Sequence, residues 1–286
     1  MRKLIANEYS TLHLKGEDAF EFGQRMFSRN LKGMNVGEGR LASFLSAEGK
    51  VQALFWVTRI NTGLQLLLPK AECDRTLELM ERYHFAEKFE TSWDSSETWS
   101  GNWNPVVGPE QLYAEGRWKS STEFRGVFRG TEWTFQPGSP ESLTSEEKNA
   151  WLKHRIERLI PEWGLELDTD RLVFDVGLED ICDADKGCYI GQEVVERVRT
   201  RAGSGPIRFS ALALDGEQII SKDLEVFSRE KEVVGKFSGS AVFDPQSQQT
   251  LALAFLKRAF VEKSNEVFGG RIFRLCGDGV KPLVKK

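Results

Sequence analysis

Residues 186–193 read Lys-Gly-Cys-Tyr-Ile-Gly-Gln-Glu, an octet that places Cys188 between a cation and two glycines. A thiol is a nucleophile or a metal ligand only as the thiolate, and its pKa falls beside a cation or at a helix N-terminus. Lys186 supplies the cation, and the residues after the octet predict the first turns of a helix. Gly187 and Gly191 permit a backbone with positive φ. The octet therefore predicts a reactive thiol; a tight loop around a small buried cysteine is the alternative.

The octet resembles the signature of the YgfZ-type folate-binding family. Members of this family are relatives of the glycine cleavage T protein, an aminomethyltransferase, and include a mitochondrial iron–sulfur assembly factor. Three further segments resemble family landmarks and occur in the family's order over most of the chain. They are the strand, turn and helix at Leu12–Phe20, the hairpin at Leu41–Val51, and Arg155-Ile156-Glu157 followed by Pro161.

The resemblance implies an α+β, strand-rich fold. Residues 1–204 would form a T-protein-like region whose folate-binding subdomains close into a ring around a central hole, and residues 206–286 a small C-terminal β-barrel. The residue pattern agrees, because residues 10–90 follow the order β-α-β-β-β-α, which favours antiparallel strands with packed helices. From residue 207 onward, short strands between regular turn signals predict a small barrel or jelly roll.

Periodicity and capping signals predict three helices. Apolar residues at helical spacing predict the first two, at Asp18–Met26 and Ala71–Tyr83. Thr144 followed three residues later by Glu147 is a capping-box pattern. It predicts a third helix that runs to about Leu159, just before a proline.

For the octet, the resemblance implies that Cys188 is the functional thiol. Lys186 is expected to favour its thiolate, and Tyr189 to supply a hydroxyl group. The rest of the motif is expected to organise the loop through backbone or side-chain contacts. These residues are Gly187, Gly191, Gln192 and Glu193.

The same resemblance implies that tetrahydrofolate or a derivative is the bound ligand. Such a ligand needs a polar group at the pterin edge and a cation for its glutamate tail. Arg155 is expected to hold a carboxylate in bidentate fashion, and Glu157 to read the pterin edge. Asn30 is the third expected folate contact. For Arg155 and Glu157, a solvated or mutually paired role is the alternative.

Departures from the family pattern decide the expected function. Ser28-Arg29-Asn30 stands where the family usually has Thr-Asn-Asp, Leu159 replaces a glycine, and Val51–Leu54 has no acid where true T proteins have an acidic pair. We therefore expect a tetrahydrofolate-binding accessory factor that assists assembly or repair of iron–sulfur clusters, rather than a catalyst. Two alternatives stay open. One is a folate-dependent aminomethyl or one-carbon transferase, and the other is a thiol-redox or interaction module that has lost folate binding.

Composition restricts the partners. The 286 residues carry a net charge of −4, with a pI near 5.7, which predicts no nucleic-acid binding. No apolar run approaches the roughly 18 residues that a membrane span needs, so we expect no membrane contact. The predicted location is the cytoplasm of a bacterium, and the predicted partners are folate and iron–sulfur client or assembly proteins.

Cysteine and histidine spacing predicts no permanent metal. The three histidines are far apart, and no cysteine pair has a zinc-site spacing. Scattered cysteines in a chain of this length are typical of reduced thiols rather than of a disulfide framework. They are Cys73, Cys182, Cys188 and Cys276.

An unusual concentration of tryptophan lies between residues 93 and 133. Such rings can form a stacking platform for a flat ligand, or they can anchor the core of short strands. We favour the core-anchor interpretation because large aromatics dominate core burial. The residues concerned are Trp93, Trp99, Trp103, Trp118 and Trp133.

Overall fold

The computed structural model describes residues 3–106, 114–201 and 205–275. Packing divides the chain into two compact units, and each unit takes two segments. The first is Met1–Glu147 with Asp180–Val194, and the second is Lys148–Glu179 with Val195–Lys286. The predicted domains, 1–204 and 206–286, follow chain order and stay a prediction.

The first unit is built on an antiparallel sheet. Its strands, within the described residues, are β1 (Tyr9–Gly16), β2 (Glu38–Leu45), β3 (Val51–Ile60), β4 (Gly63–Pro69), β5 (Phe89–Trp93), β6 (Trp99–Pro105), β7 (Glu115–Ser120), β8 (Glu123–Phe128) and β9 (Thr131–Pro137). They follow the order β4-β3-β2-β7-β8-β9-β6-β1-β5. Because β1 also pairs with β4 over seven residue pairs, eight strands close into a barrel and β5 extends it.

Two helices of the first unit match the predicted ones to within two residues at either end. They are α1 (Ala19–Met26) and α2 (Cys73–Arg82). Each buries one face in the core that the barrel strands line, through Phe22 in α1 and Met80 in α2. Burying side chains of this size stabilises the fold by about 1.5–3 kcal/mol each. The helical spacing read from the sequence therefore marks the buried faces.

The tryptophans of β6 and β9 are core residues. Trp99, Trp103 and Trp133 are all buried, and the last two lie opposite each other in the strand register. The core-anchor interpretation is confirmed for these three. Glycine makes room for a further ring, because a Cβ at Gly126 in β8 would lie 2.7 Å from the indole of Trp56.

The second unit contains a six-stranded antiparallel sheet of order β11-β12-β13-β10-β15-β14 among the described residues. The strands are β10 (Ile207–Asp215), β11 (Glu225–Phe227), β12 (Val233–Asp244), β13 (Gln249–Lys257), β14 (Glu266–Val267) and β15 (Gly270–Leu275). The two edges meet where the amide of Phe268 donates to the carbonyl of Phe227 at 2.8 Å. The strand-rich α+β class is confirmed.

Three more α-helices follow in chain order within the described residues. They are α3 (Ser145–Arg158), α4 (Gln192–Arg201) and the single turn α5 (Arg258–Val261). The predicted capping box is present, since the amide of Glu147 donates to Thr144 Oγ1 at 3.2 Å and the amide of Thr144 donates to Glu147 Oε2 at 2.9 Å. No helix within the described ranges is long and apolar enough to cross a membrane.

Candidate functional site

The octet forms an exposed loop with buried flanks. A single 3-10 turn, Ala184–Lys186, leads into it, and α4 begins at Gln192. Cys188 is exposed, whereas Tyr189 beside it is buried and Ile190 packs against the core of the first unit. The loop therefore presents its sulfur to solvent between side chains that fix it on both sides.

Two glycines of the octet have positive φ, as the sequence predicts, but for different local reasons. Gly191 has a φ of 82°, and a Cβ there would lie 2.5 Å from the carbonyl oxygen of Ser46, in the turn between β2 and β3. Gly187 has a φ of 88°, and a Cβ there would meet nothing within 4 Å. Close packing and conformation both require glycine at 191, and conformation alone requires it at 187.

Lys186 anchors the loop from inside. Its side chain is buried, its Nζ donates to the carbonyl oxygen of Phe27, and it lies 4.9 Å from the ring centroid of Tyr189. Burial lowers the pKa of this ammonium to about 8, against the opposing effect of the charges on Asp183 and Cys182. The predicted effect of Lys186 on the thiolate of Cys188 stays a prediction.

A buried glutamine ties the octet to α1. Gln24 Nε2 donates to the carbonyl oxygen of Lys186 at 2.9 Å, and its Oε1 accepts from the amide of Leu31 at 2.7 Å. Both partners are backbone groups, which need a partner when they are buried. The sequence interpretation missed Gln24. The signal for it is a polar residue beside Phe22 and Gly23 on the buried face of α1.

Residues 28–30, which depart from the family pattern, hold residues 181–183, the segment just before the octet. Ser28 Oγ donates to the carbonyl oxygen of Ile181 at 2.6 Å, and Ser28 accepts the amide of Asp183 at its own carbonyl at 2.9 Å. Arg29 Nε lies 3.1 Å from Asp183 Oδ2, which also accepts the amide of Asn30 at 2.7 Å. Ser28 and Asp183 were not predicted as site residues, and they fix the chain that enters the loop.

Asn30, a predicted folate contact, is placed mainly by its backbone. Its carbonyl oxygen accepts a hydrogen bond from Arg40, and its side-chain oxygen accepts the amide of Lys32 at 3.1 Å. Asn30 thus lies in the same stretch as the contacts that hold the octet. Its contact with folate stays a prediction.

Arg155 and Glu157 lie on α3 in the second unit. Arg155 is 1% exposed. Its Nη1 donates to Glu166 Oε2 at 2.5 Å and its Nη2 donates to Ser240 Oγ at 2.6 Å. These contacts engage the guanidinium within the second unit. The predicted bidentate contact of Arg155 with a ligand carboxylate stays a prediction. Glu157 is half-buried, and its contact with a pterin stays a prediction.

The described cysteines differ in exposure. Cys73 and Cys182 are buried and Cys188 is exposed; Cys276 lies outside the described residues. Burial raises the pKa of the Cys73 thiol to about 12, and the nearby Asp74 and Glu72 carboxylates add to this effect. Among residues 3–106, 114–201 and 205–275, no three His, Cys, Asp or Glu side chains form a group that could hold a metal ion. Cys188 is therefore the thiol that a partner can reach in the described part of the chain.

Comparison with known proteins defines the class of fold. No protein-family profile matches the chain. In structure the chain is similar to glycine cleavage system aminomethyltransferase T from Bartonella henselae, with a TM-score of 0.71 over 93% of this chain and 84% of that one, at 14% identity. The chain has the fold of an aminomethyltransferase T.

A sequence match points in the same direction over a shorter stretch. An aminomethyltransferase from Chlorobium phaeovibrioides is 26% identical to the chain over 114 residues. The match covers 40% of this chain and 30% of that protein, so the chain spans less than a third of the length of the curated relative it matches.

Proposed function

We propose that this protein is a tetrahydrofolate-binding accessory factor of the YgfZ type, which assists assembly or repair of iron–sulfur clusters through Cys188. The observation that carries the proposal is the exposed sulfur of Cys188 on a loop whose flanks are fixed by Lys186 and Gln24. The octet resembles the family signature, and it forms this loop on the fold of an aminomethyltransferase. Together these two features support a protein that binds folate and also acts through a thiol.

The exposed thiol suits chemistry with a second protein. Cysteine sulfur is a soft ligand for iron, and its thiolate exchanges with disulfides. The other described cysteines are buried, so an exchange partner or an iron ion comes to Cys188 from outside the described residues. Lys186 and Gln24 hold the loop that carries the sulfur, and Lys186 is further proposed to favour the thiolate.

The residues fit a folate only in part. Arg155, proposed for the glutamate tail, has its guanidinium engaged by Glu166 and Ser240. Asn30 and Glu157 supply an amide and a carboxylate of the kind that pterin recognition uses. A bound folate would contribute one-carbon or pterin chemistry, and its tail would need a cation that is free to face it.

A folate-dependent transferase is the second candidate. The aminomethyltransferase fold is compatible with it. Val51–Leu54, however, offers no carboxylate where true T proteins carry an acidic pair, and that absence in the sequence favours the accessory role. A transferase would require an acidic side chain from another segment at the reacting carbon.

Calorimetric titration of the reduced protein with tetrahydrofolate and with its 5-formyl derivative tests the folate half. We expect saturable binding by the wild type and by Cys188→Ala, because the thiol is proposed to act apart from the ligand. Absence of binding by the wild type would overturn the folate half and favour a thiol-centred interaction module.

Reactivation of an oxygen-damaged iron–sulfur hydro-lyase tests the thiol half. We expect the wild type to restore activity and Cys188→Ser to lose this effect, while Thr200→Ala, a change of an exposed residue in α4, retains it. Equal activity of Cys188→Ser and the wild type would contradict a role for the sulfur.

A further inference from the structure

An open cavity of about 560 Å³ lies in the first unit, away from the octet. It is formed where β1 runs into α1 and where β3 turns into β4. Its polar and aromatic lining includes Lys15, Glu17, Phe20, Arg59, Asn61 and Thr62. Cavities of some 300–1,000 Å³ are the usual size for small-molecule sites.

Arg59 is held in place with most of its donors unused. Its guanidinium carbon lies 4.8 Å from the ring centroid of Phe20, and Nη1 donates to the carbonyl oxygen of Met34 at 2.7 Å. A guanidinium has five N–H donors, and no other hydrogen bond or ion pair joins this one to a described residue. Stacking on an aromatic ring fixes the plane of the group and orients its remaining donors in advance.

Lys15 gives the cavity a second cation. Its side chain is exposed, and it forms no ion pair within 4.0 Å among the described residues. Glu90 lies opposite Lys15 in the pairing of β1 with β5, and it is also exposed. Glu17, the acidic residue in the lining, is engaged at 2.6 Å by Lys88. The two cations of the lining are therefore not matched by carboxylates that contact them.

The N-terminus of α1 adds to the positive electrostatic potential that Lys15 and Arg59 give the cavity. Asp18 is the N-cap residue, but its side chain caps no amide of the helix. Its Oδ2 accepts the amide of Lys88 at 2.7 Å instead. The first amides of α1 are left without a side-chain acceptor, and a helix N-terminus favours a nearby anion. The positive end of the helix thus supplements Lys15 and Arg59.

We propose that this cavity binds a small ligand through an oxyanion group, a carboxylate or a phosphate, held by Arg59 and Lys15. Arg59 supplies oriented donors that suit either group, and Lys15 supplies a mobile point charge at the exposed side. The cavity lies at the first turn of α1, whereas Gln24, which contacts the octet, follows Phe20 by four residues, about 6 Å along the helix axis. The site is independent of the proposed folate function and of Cys188.

Amide chemical-shift titration of the isotope-labelled full chain tests the site. The two probes are inorganic pyrophosphate and glutarate, which distinguish a phosphate from a carboxylate. We expect saturable shifts at Gly16, Phe20 and Gly63 with at least one probe. Lys15→Gln and Arg59→Gln should each weaken the binding by roughly tenfold, the effect of losing one charge-assisted contact.

Lys263→Gln is the matched control, because this exposed lysine belongs to the second unit and its loss changes net charge equally. It should leave the affinity unchanged. Lys15 is exposed, so its substitution tests the site even if Arg59→Gln unfolds the protein. Absence of saturable shifts with both probes, or equal weakening by Lys15→Gln and Lys263→Gln, would overturn the proposal.

Discussion

Arg155 Nη1 lies 2.5 Å from Glu166 Oε2, and the two side chains are 1% and 0% exposed. The other oxygen of Glu166 accepts hydrogen bonds from Ser238 at 2.7 Å and Ser240 at 2.5 Å. This ion pair joins α3, the segment that follows it and β12 within the second unit. It holds the Arg of the Arg-Ile-Glu landmark within the second unit.

Loss of one partner of this pair should strongly destabilise the second unit. In Glu166→Ala the guanidinium of Arg155 stays buried without its carboxylate, so we expect the free energy of unfolding to fall by about 3–5 kcal/mol. Urea-induced unfolding measures it. Glu262→Ala, which removes the pair of exposed Glu262 with half-buried Arg258, should have a much smaller effect. The double variant Arg155→Met/Glu166→Leu should cost less than the sum of the single variants; additive losses would count against a coupled buried pair.

The two glycines of the octet should differ in their tolerance of alanine. Gly191→Ala forces a Cβ against the carbonyl of Ser46 as well as a positive φ, and we expect a loss of about 2–5 kcal/mol. Gly187→Ala meets only the conformational cost, about 1–3 kcal/mol. Chemical unfolding of both variants decides the order. A larger loss for Gly187→Ala would show that the close contact at 191 is relieved easily.

Gln24 should control the mobility of the octet. Gln24→Met keeps the length of the side chain but leaves the carbonyl of Lys186 and the amide of Leu31 without their partner. We expect about 2–4 kcal/mol of destabilisation from the two unsatisfied groups. Hydrogen exchange of residues 187–190 should become faster, and Gln136→Met, at an exposed position in the same unit, should leave it unchanged. Unaltered exchange in Gln24→Met would contradict an anchoring role.

Lys186 should make stability rise with pH in the alkaline range. Its pKa is about 8 in the folded protein, against an ordinary value of 10.5. Below about pH 8 both states are protonated, and the folded state bears the full cost of the buried ammonium. Between the two pKa values the folded state has lost the proton that the unfolded state keeps, so unfolding binds a proton and stability increases with pH.

Comparison with Lys186→Met separates the titration of Lys186 from that of Cys182 and Asp183, whose charges also act on its amine. Wild-type stability minus that of Lys186→Met should rise by roughly 2 kcal/mol from about pH 7.5 to about pH 9.5. Denaturant unfolding at the two pH values measures the difference. A flat or falling difference would mean that Lys186 stays charged in the folded protein.

Local signals in the sequence predict local structure well here. The capping box at Thr144 and Glu147 and the apolar spacing around Phe22 and Met80 each specify an element through residues a few positions apart. Closure of the barrel depends on pairing between β1 and β4, whose residues are some fifty positions apart, and no local pattern encodes that register. For the same reason the contact of Gln24 with Lys186 and those of Asp183 with Arg29 and Asn30 could not be predicted, because each joins distant segments.

The split between the two units has a consequence for synthesis. A ribosome releases residues 1–147 before it releases residues 180–194, which belong to the same unit. Until then Gln24 and Ser28 lack the carbonyl groups of Lys186 and Ile181, which they bind in the mature protein. The first unit is thus completed only after the nascent chain has passed through part of the second. A gene fragment that stops before residue 180 would encode the first unit without the segment that completes it.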